Sequence, residues 1–307
     1  MLTILILGLF ILGAGVILQY RAGRKNLDTI KRLTQLIDQT NTELSPPVFN
    51  LEEGADPEFK KLAHSYNRMM AQRADNLRRA RQFSADVTHE LRTPLTILRG
   101  ETELALRNER SREELLTVLE SNLEEIGRMS YLIEDLLLLS KSDLGEIPLK
   151  MAPLSLVEFI IELHHQGQLL ATAKNIRVDL ICPDQQITLN ADSLRLRQVF
   201  LNLITNAIKY TPEGGSATIE VRVNENNHTV AITVSDTGIG IDNEHQDAIF
   251  DRFYRVDKTR NRNDGGSGLG LSIVKWIVNA HAGTITVNSK LGQGSKFTVT
   301  LPCTDKN

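Results

Sequence analysis

His89 is the first residue whose chemistry stands out, because the helical pattern around it turns its imidazole toward water. Val87 and Leu91 lie on the apolar stripe, and a step of roughly 100° per residue places His89 opposite both. An unperturbed histidine is largely neutral at pH 7, so one ring nitrogen keeps a lone pair for nucleophilic attack. Glu90 can orient or deprotonate the ring, and Thr93 shares the same helix face. A lone surface histidine is usually inert, so this hypothesis depends on its neighbours.

Two asparagines, Asn202 and Asn206, stand four residues apart in a segment with a helical apolar pattern. This spacing places both amides on one helix face, where carbonyl oxygens can meet Mg²⁺ and NH₂ groups can meet phosphate oxygens. Lys209 adds a cation near the same end. The polar outer face of an amphipathic helix is the simpler explanation of such a pair taken alone.

Two glycine-rich runs are further candidates for ligand contact. The run Asp236–Gly240 follows a strand pattern, where a carboxylate can accept from an exocyclic amine and glycines allow close approach of the backbone. The run Gly265–Ser272 opens the last helix, whose N-terminal amides favour anions. Each run alone is no stronger than a turn signal. No Gly-Lys-Ser or Gly-Lys-Thr triplet occurs, which excludes a Walker A loop.

The composition is that of a folded, multidomain protein. At 307 residues, with 41% hydrophobic and 24% charged residues, the chain predicts two or three domains and excludes bulk disorder. The net charge of −3 argues against a nucleic-acid-binding protein with a large basic surface. The only cysteines, Cys182 and Cys303, exclude a disulfide framework and a cysteine-rich metal site, and favour a reducing compartment.

The N-terminus predicts a transmembrane helix over residues 1–20, which contain no charged residue. A run of about 20 apolar residues spans a bilayer. Arg21, Arg24 and Lys25 follow directly, and such clusters stay on the cytoplasmic side. A signal peptide would carry its basic residues before the apolar run, so we expect residues 21–307 in the cytoplasm.

Residues 21–74 predict two short helices joined by a connector. One apolar stripe runs through Asn26–Glu43, Ser45-Pro46-Pro47 ends it, and a second runs from Phe59 to Met70. Such a pair just inside a membrane resembles a HAMP signal relay, although Pro57-Glu58-Phe59 stands where that family often has an Asp-Glu-aliphatic triplet. A juxtamembrane coiled coil is the alternative.

The remaining chain predicts a helical domain followed by an α+β domain. Residues 75–145 form a helical hairpin with a turn near residues 108–111, whose apolar faces favour dimerisation into a four-helix bundle. A linker follows at residues 145–153. Beyond it, at residues 150–304, we expect an α+β sandwich. Its candidate strands are Ile176–Cys182, Ala217–Val223, Thr229–Asp236, Thr284–Ser289 and Lys296–Leu301, and its candidate helices are Leu156–Ala171, Ser193–Ile208 and Leu269–His281.

The run from Phe83 to Leu95, FSADVTHELRTPL, closely resembles the phosphoacceptor box of sensor histidine kinases of two-component systems. By that resemblance His89 is phosphorylated, Glu90 is the general base, and Thr93 helps to hydrolyse the phosphorylated regulator.

Four later motifs resemble, in order and spacing, the N, G1, F and G2 boxes of the histidine kinase ATP-binding domain, a fold shared with the gyrase B subunit and MutL. In that order they are Asn202 with Asn206, Asp236–Gly240, Phe250–Arg255 and Gly266–Gly270. The resemblance implies that Asn206 holds Mg²⁺, that Asn202 and Lys209 contact phosphates, and that Asp236 recognises adenine. Arg255 would approach the γ-phosphate, and Asp257 to Asp264 would form a mobile lid. The nucleotide-binding residues expected are Asn202, Asn206, Lys209, Tyr210, Asp236, Gly238, Gly240, Arg255, Gly266, Gly268, Leu269 and Gly270.

Taken together, the sequence predicts a sensor histidine kinase of the bacterial inner membrane that uses ATP and Mg²⁺. It would act as a homodimer, and its phosphoryl group would pass from His89 to an aspartate of a response regulator. The alternatives are a sensor that acts chiefly as a phosphatase, an ATP-driven conformational clamp of the same fold, and a non-enzymatic scaffold. Because the predicted span begins at residue 2, we expect a fragment that lacks a first span and a sensor domain. If the chain is not a fragment, the signal that regulates the kinase arrives through the membrane, the relay or a partner.

Overall fold

The structure, a computed structural model, describes residues 15, 31, 34, 57–107, 111–143, 147–225, 228–256 and 267–303. The chain divides into two compact units, Met1–Val87 and Thr88–Asn307. The predicted transmembrane helix and the first relay helix lie almost wholly outside the described residues. Among the described residues, no helix is both long enough and apolar enough to cross a bilayer.

Helix α1 runs from Pro57 to Arg107 without a break, although the sequence analysis placed a domain boundary at residues 74 and 75. Proline is favoured at the first position of a helix, and no glycine or proline occurs between Pro57 and Pro94 to interrupt the pattern. The predicted second relay helix and the first arm of the hairpin are therefore one helix. The boundary between the two domains stays a prediction.

The predicted apolar stripe of the relay is narrower than the sequence indicated. Ala63, Tyr66 and Met70 are buried, while Leu62 and Met69 are exposed. The three buried residues are spaced at three and four positions, as one face of a helix requires.

Helix α2, Arg112–Asp143, pairs with α1 as the second arm of the hairpin. A capping box starts it: the Ser111 hydroxyl accepts from the Glu114 amide at 3.2 Å, and the Glu114 carboxylate accepts from the Ser111 amide at 2.8 Å. Asn122 of α2 donates to the hydroxyl of Thr102 on α1 at 3.2 Å. Residues 108–110 of the predicted turn lie outside the described residues.

The hairpin leaves a large apolar face in water within a single chain, as the sequence predicted. On α2, the exposed residues Leu119, Leu123, Ile126 and Leu137 follow one another at steps of four, three and eleven, so they lie on one side of the helix. An exposed apolar stripe of this kind is typical of an interface. Dimerisation through this face stays a prediction.

The C-terminal domain is built on a five-stranded sheet. Its strands are β2 Arg177–Ile181, β4 Ser216–Asn224, β5 Thr229–Asp236, β6 Thr284–Lys290 and β7 Gly294–Pro302. Their order in the sheet is β2-β4-β5-β7-β6; β2 and β4 are parallel, and every other neighbouring pair is antiparallel. All five predicted strands are confirmed, within two residues at each end.

Three helices cover one face of this sheet and give the predicted two-layer α+β sandwich. They are α3 Leu156–Ala171, α4 Ser193–Tyr210 and α5 Gly270–Ala280. Helix α3 packs on β2, α4 on β4 and β5, and α5 on β6. The fully buried residues between the layers include Leu163 of α3, Phe200 of α4 and Ile232 of β5. Since burial of such side chains is the main favourable term in folding, this layer holds α4 and α5 in place.

Two strands were not predicted: β1, Ala152–Ser155, and β3, Thr188–Ala191. They form a separate antiparallel pair in which Ala152 lies opposite Ala191. Each has only four residues, and β1 lacks alternation of apolar and polar positions. Strand β3 alternates between exposed polar and buried apolar residues, but over four positions this pattern is too short to signal a strand. Strand β1 also occupies the end of the predicted linker, which is therefore shorter than the sequence indicated.

Candidate functional site

His89 lies on α1 with its imidazole in water, as predicted. Its side chain is 73% exposed, and its Nδ1 lies 3.9 Å from Glu90 Oε1. A carboxylate on the Nδ1 side favours the tautomer with the proton on Nδ1, which leaves the Nε2 lone pair free. Thr93 is also exposed, and its hydroxyl donates to the carbonyl oxygen of His89 at 3.3 Å. The three residues thus form one solvent-facing group that can take part in nucleophilic chemistry.

Asn202 and Asn206 are half-buried on α4, on the face opposite its buried stripe. The stripe includes Leu203, Ile204 and Ala207, which pack into the core of the domain. The two amides therefore share a face, as their spacing predicted. Lys209 follows on the same helix, and its ammonium group lies 5.2 Å from the centre of the Tyr210 ring.

Asp236 ends strand β5 and is half-buried. Its Oδ1 accepts from the backbone amides of Gly238 at 2.8 Å and Ser295 at 3.2 Å. Burial raises the pKa of the Asp236 carboxyl above its usual range, and the two amides oppose that rise. A carboxylate whose one oxygen is held by two amides can offer its other oxygen to a ligand donor.

The loop after Asp236 packs tightly against the end of α4. The Ile239 amide donates to the carbonyl oxygen of Tyr210 at 3.2 Å, and a Cβ on Gly238 would lie 2.5 Å from that same oxygen. Gly240 has a φ of +70°, and a Cβ there would lie 2.0 Å from the carbonyl oxygen of Lys290. Glycine is required at both positions because any side chain would collide with backbone.

The G2 residues join the F residues to α4. Gly268, with a φ of +71°, accepts from the Phe253 amide at 3.0 Å, and a Cβ on it would lie 2.9 Å from the Phe253 backbone. Leu269 is fully buried, and Gly270 begins α5. A Cβ on Gly270 would lie 3.2 Å from Asn202 Oδ1. Gly270 therefore lets the Asn202 side chain approach the N-terminus of α5, where backbone amides favour phosphate.

The structure thus brings the four predicted boxes together. The N and G1 residues meet at Tyr210, the N and G2 residues meet at Asn202, and the F and G2 residues meet at Phe253. Arg255 is half-buried two residues beyond Phe253. Gly266 and the predicted lid at residues 257–264 lie outside the described residues.

No cluster of three or more His, Cys, Asp or Glu side chains that could hold a metal occurs in the part of the chain that the structure describes. The predicted ligand of a divalent cation at this site, Asn206, offers an amide oxygen, and phosphate oxygens of the nucleotide would supply further ligands. That donor set suits Mg²⁺, which is commonly held by few protein ligands together with phosphates.

The helical hairpin contacts the nucleotide domain through the C-terminal half of α2. Leu132, Leu138 and Leu139 are buried in the same hydrophobic cluster as the core of that domain. The side-chain amide of Gln198, on α4, donates to Asp135 Oδ1 at 3.4 Å. Burial and the nearby Glu134 carboxylate raise the pKa of Asp135 to about 6.

Several residues around the site were missed by the sequence analysis. Asp192 caps α4 by accepting from the Arg195 amide at 3.1 Å, a role that an aspartate before a helical pattern could have signalled. Ser289 and Ser295 support Asp236 from two strands that lie far from it in sequence. No local signal marks these two serines.

Comparison with protein families gives two adjacent matches. Residues 79–145 match the His Kinase A phosphoacceptor domain, and residues 191–305 match the histidine kinase-, DNA gyrase B- and HSP90-like ATPase domain. The first match includes His89, and the second includes the four boxes.

Individual relatives agree with these matches. The sensor histidine kinase CusS of Escherichia coli is 37% identical over 289 residues, which are 94% of this chain and 58% of CusS. The chain therefore spans less than two thirds of this relative. Among solved structures, the histidine kinase AdeS of Acinetobacter baumannii matches 71% of this chain and 98% of its own, with a TM-score of 0.58 and 25% identity. Full-length ShkA in complex with AMPPNP matches 72% of this chain and 46% of its own, with a TM-score of 0.57 and 28% identity.

Proposed function

This chain belongs to the sensor histidine kinases, and from that premise we propose that it transfers the γ-phosphoryl group of ATP to His89 and then to an aspartate of a response regulator. The observation that carries the proposal is that α4 contacts both glycine-rich loops, with Gly270 beside the Asn202 side chain and Gly238 of the Asp236 loop beside Tyr210. The same chain carries an exposed histidine beside a carboxylate. ShkA, which shares the fold, was solved with a nucleotide analogue, and this supports ATP as the substrate.

The proposed nucleotide contacts follow from the chemistry of each side chain. Asp236 accepts a hydrogen bond from the exocyclic amine of adenine through the oxygen that the two amides leave available. Asn202 and Lys209 bind phosphates near the N-terminus of α5, where backbone amides also favour anions. Arg255 neutralises charge on the γ-phosphate. When bound, Mg²⁺ supplies charge neutralisation between phosphates, and Asn206 is the residue that would hold it.

At His89, the Nε2 lone pair attacks the γ-phosphorus, the bond from phosphorus to the bridging oxygen breaks, and ADP leaves. The ring then carries an extra positive charge, which is removed when Nδ1 gives up its proton. Glu90 lies on the Nδ1 side and takes that proton. Catalysis by the protein is therefore positioning together with charge stabilisation.

Dephosphorylation of the regulator is a second activity that one observation favours. Thr93 is exposed on the same face as His89, and its hydroxyl is held by the carbonyl oxygen of His89. A hydroxyl in that place can orient water toward the phosphorylated aspartate of a docked regulator. An ATP-driven clamp has no use for this phosphoacceptor group and is not favoured.

The remaining parts of the proposal rest on the sequence pattern and on exposed surface. Residues 1–20 anchor the chain in the bacterial inner membrane, residues 21–74 form a HAMP-like relay, and residues 75–145 and 150–304 form the two kinase domains. The exposed leucines of the hairpin are covered by a second copy of the chain in a four-helix bundle.

The full chain, incubated with labelled ATP and Mg²⁺, tests the proposal. Wild type acquires an acid-labile label, and H89Q acquires none while it still binds a fluorescent ATP analogue. The matched control is H165Q, which changes an exposed histidine outside every box and leaves labelling unchanged. Labelling of H89Q, or no binding of ATP by wild type, would overturn the proposed function.

A further inference from the structure

The turn between β6 and β7 packs against the loop that follows Asp236. The Gly292 amide donates to the carbonyl oxygen of Ile239 at 2.7 Å. Gly294 has a φ of +90°, and a Cβ on it would lie 1.9 Å from the carbonyl oxygen of Asp236. Together with the close approach of Gly240 to Lys290, these contacts place the turn against the same loop along its whole length.

The Ser289 hydroxyl lies at the centre of this contact and is buried. It donates to the carbonyl oxygen of Gly294 at 2.8 Å, accepts from the Ile241 amide at 2.8 Å, and lies 2.9 Å from the Ser295 hydroxyl. A hydroxyl has one proton to donate, and the Gly294 carbonyl takes it. The Ser295 hydroxyl therefore donates to Ser289. One oxygen thus joins strand β6, the start of β7 and the loop after Asp236.

The segments that Ser289 joins are also those that hold the Asp236 carboxylate. The Ser295 amide donates to Asp236 Oδ1 from the β7 side, and the Gly238 amide donates to it from the loop side. Gln246 reinforces the same junction, because its side-chain amide donates to the carbonyl oxygens of Ser289 at 2.8 Å and Ile241 at 3.2 Å. The Ser289 hydroxyl thus holds the two segments whose amides, those of Gly238 and Ser295, orient the Asp236 carboxylate.

We propose that Ser289 is a positioning residue for adenine recognition: its hydroxyl fixes the loop at Ile241 and the strand start at Ser295, so that Asp236 presents one oxygen to an exocyclic amine. Ser289 acts through Asp236 and does not touch the nucleotide. The inference rests on the proposed function, since it assigns Asp236 to an adenine nucleotide. Without the hydroxyl, the Ile241 amide and the Ser295 hydroxyl lose a buried partner, and the two segments shift apart.

The test compares S289A with T233V in the full chain, with ATP and GTP as the probes. T233V is the matched control, because it removes another buried hydroxyl of the same sheet, which lies 3.1 Å from the Thr298 hydroxyl and away from Asp236. Loss of one hydrogen bond corresponds to about a five- to tenfold change in an equilibrium constant. We therefore expect S289A to raise the Kd for ATP by that factor, to reduce the preference for ATP over GTP, and to leave kcat near wild type.

The outcomes separate this inference from the proposed function. If wild type binds no ATP, the proposed function fails. If wild type binds ATP but S289A matches T233V in both affinity and nucleotide preference, Ser289 is only structural and the inference is wrong. Should S289A not fold, Q246A removes the three side-chain hydrogen bonds of the half-buried Gln246, which go to the Ser289 and Ile241 carbonyl oxygens and to Asn243 Oδ1. This variant must then weaken ATP binding more than GTP binding.

Discussion

The backbone amide of Lys150 donates to Asp192 Oδ2 at 2.9 Å, and the other oxygen of the same carboxylate caps helix α4 through the Arg195 amide. The Asp192 backbone amide donates to His281 Nε2 at 3.0 Å. Because Nε2 accepts, the ring proton of His281 lies on Nδ1, which donates to the carbonyl oxygen of Ile277. Burial alone would raise the pKa of Asp192, but the amides of Lys150 and Arg195 outweigh it and hold that pKa below its usual value. The end of the linker is therefore bound to the helix that carries Asn202.

D192N is expected to release the linker while the helix stays capped. Asparagine caps helices as well as aspartate does, but it has one acceptor oxygen in place of two, so the Lys150 bond is lost. Loss of one hydrogen bond should speed amide exchange over residues 147–155 by about fivefold and leave α4 protected. Hydrogen exchange measured by mass spectrometry checks this, with the exposed Asp184 changed to Asn as control. Unchanged exchange in this segment would show that the β1 and β3 pairing alone holds it.

The raised pKa of Asp135 predicts a stability that falls as pH rises. In the unfolded chain the carboxyl titrates near its usual value, and in the folded chain it titrates at about 6. Its contribution is therefore fully present below about pH 4, decreases as pH rises to about 6, and is lost above that. D135N keeps an acceptor for Gln198 and removes the charge. At pH 7 it should raise the free energy of unfolding by about 1 kcal/mol, because partial exposure screens the full effect.

Urea unfolding at about pH 4 and pH 7 measures this difference for wild type and D135N. The control is E124Q, which removes an exposed carboxylate from the same helix and should change stability little at either pH. Equal stability of wild type and D135N at the higher pH would show that Asp135 is ionised without cost.

Glu90 and Thr93 should separate into different activities. E90A removes the carboxylate beside His89 Nδ1 and should lower the rate of autophosphorylation by about a hundredfold, as expected for loss of a general base. T93A removes a hydroxyl that donates to the His89 backbone carbonyl oxygen, so autophosphorylation should stay near wild type while dephosphorylation of the regulator is lost. Timed assays of both reactions distinguish them. A T93A protein that dephosphorylates normally would remove Thr93 from that role.

G270A should weaken nucleotide binding without loss of stability. A Cβ there would lie 3.2 Å from Asn202 Oδ1, so the Asn202 side-chain amide must shift away from the N-terminus of α5. Alanine is otherwise preferred in helices, by roughly 0.5–1 kcal/mol over glycine. Isothermal titration with ATP should show a several-fold higher Kd, at an unchanged or higher Tm. The control is G127A, where a Cβ meets nothing within 4 Å and ATP binding should not change. Equal ATP affinities for the two variants would contradict the placement.

Much of the secondary structure was predictable because the interactions that define it are local. Helix α3 and strand β5 have the predicted bounds, since apolar periodicity and flanking polar residues mark both within their own sequence. The outward direction of His89 follows in the same way from its position relative to Val87 and Leu91. The box residues were identifiable by resemblance, because their types and spacing recur together.

The geometry of the site was decided only by tertiary structure. Lys150 and Asp192 are 42 residues apart, and Ser295 and Asp236 are 59 apart, so no local pattern links either pair. Such contacts exist only because burial between the sheet and helices α3 to α5 brings distant segments together. The sequence by itself predicted the residues that we propose bind ATP and receive its phosphoryl group. Packing between distant segments determined how Asp236 is oriented and where the linker ends.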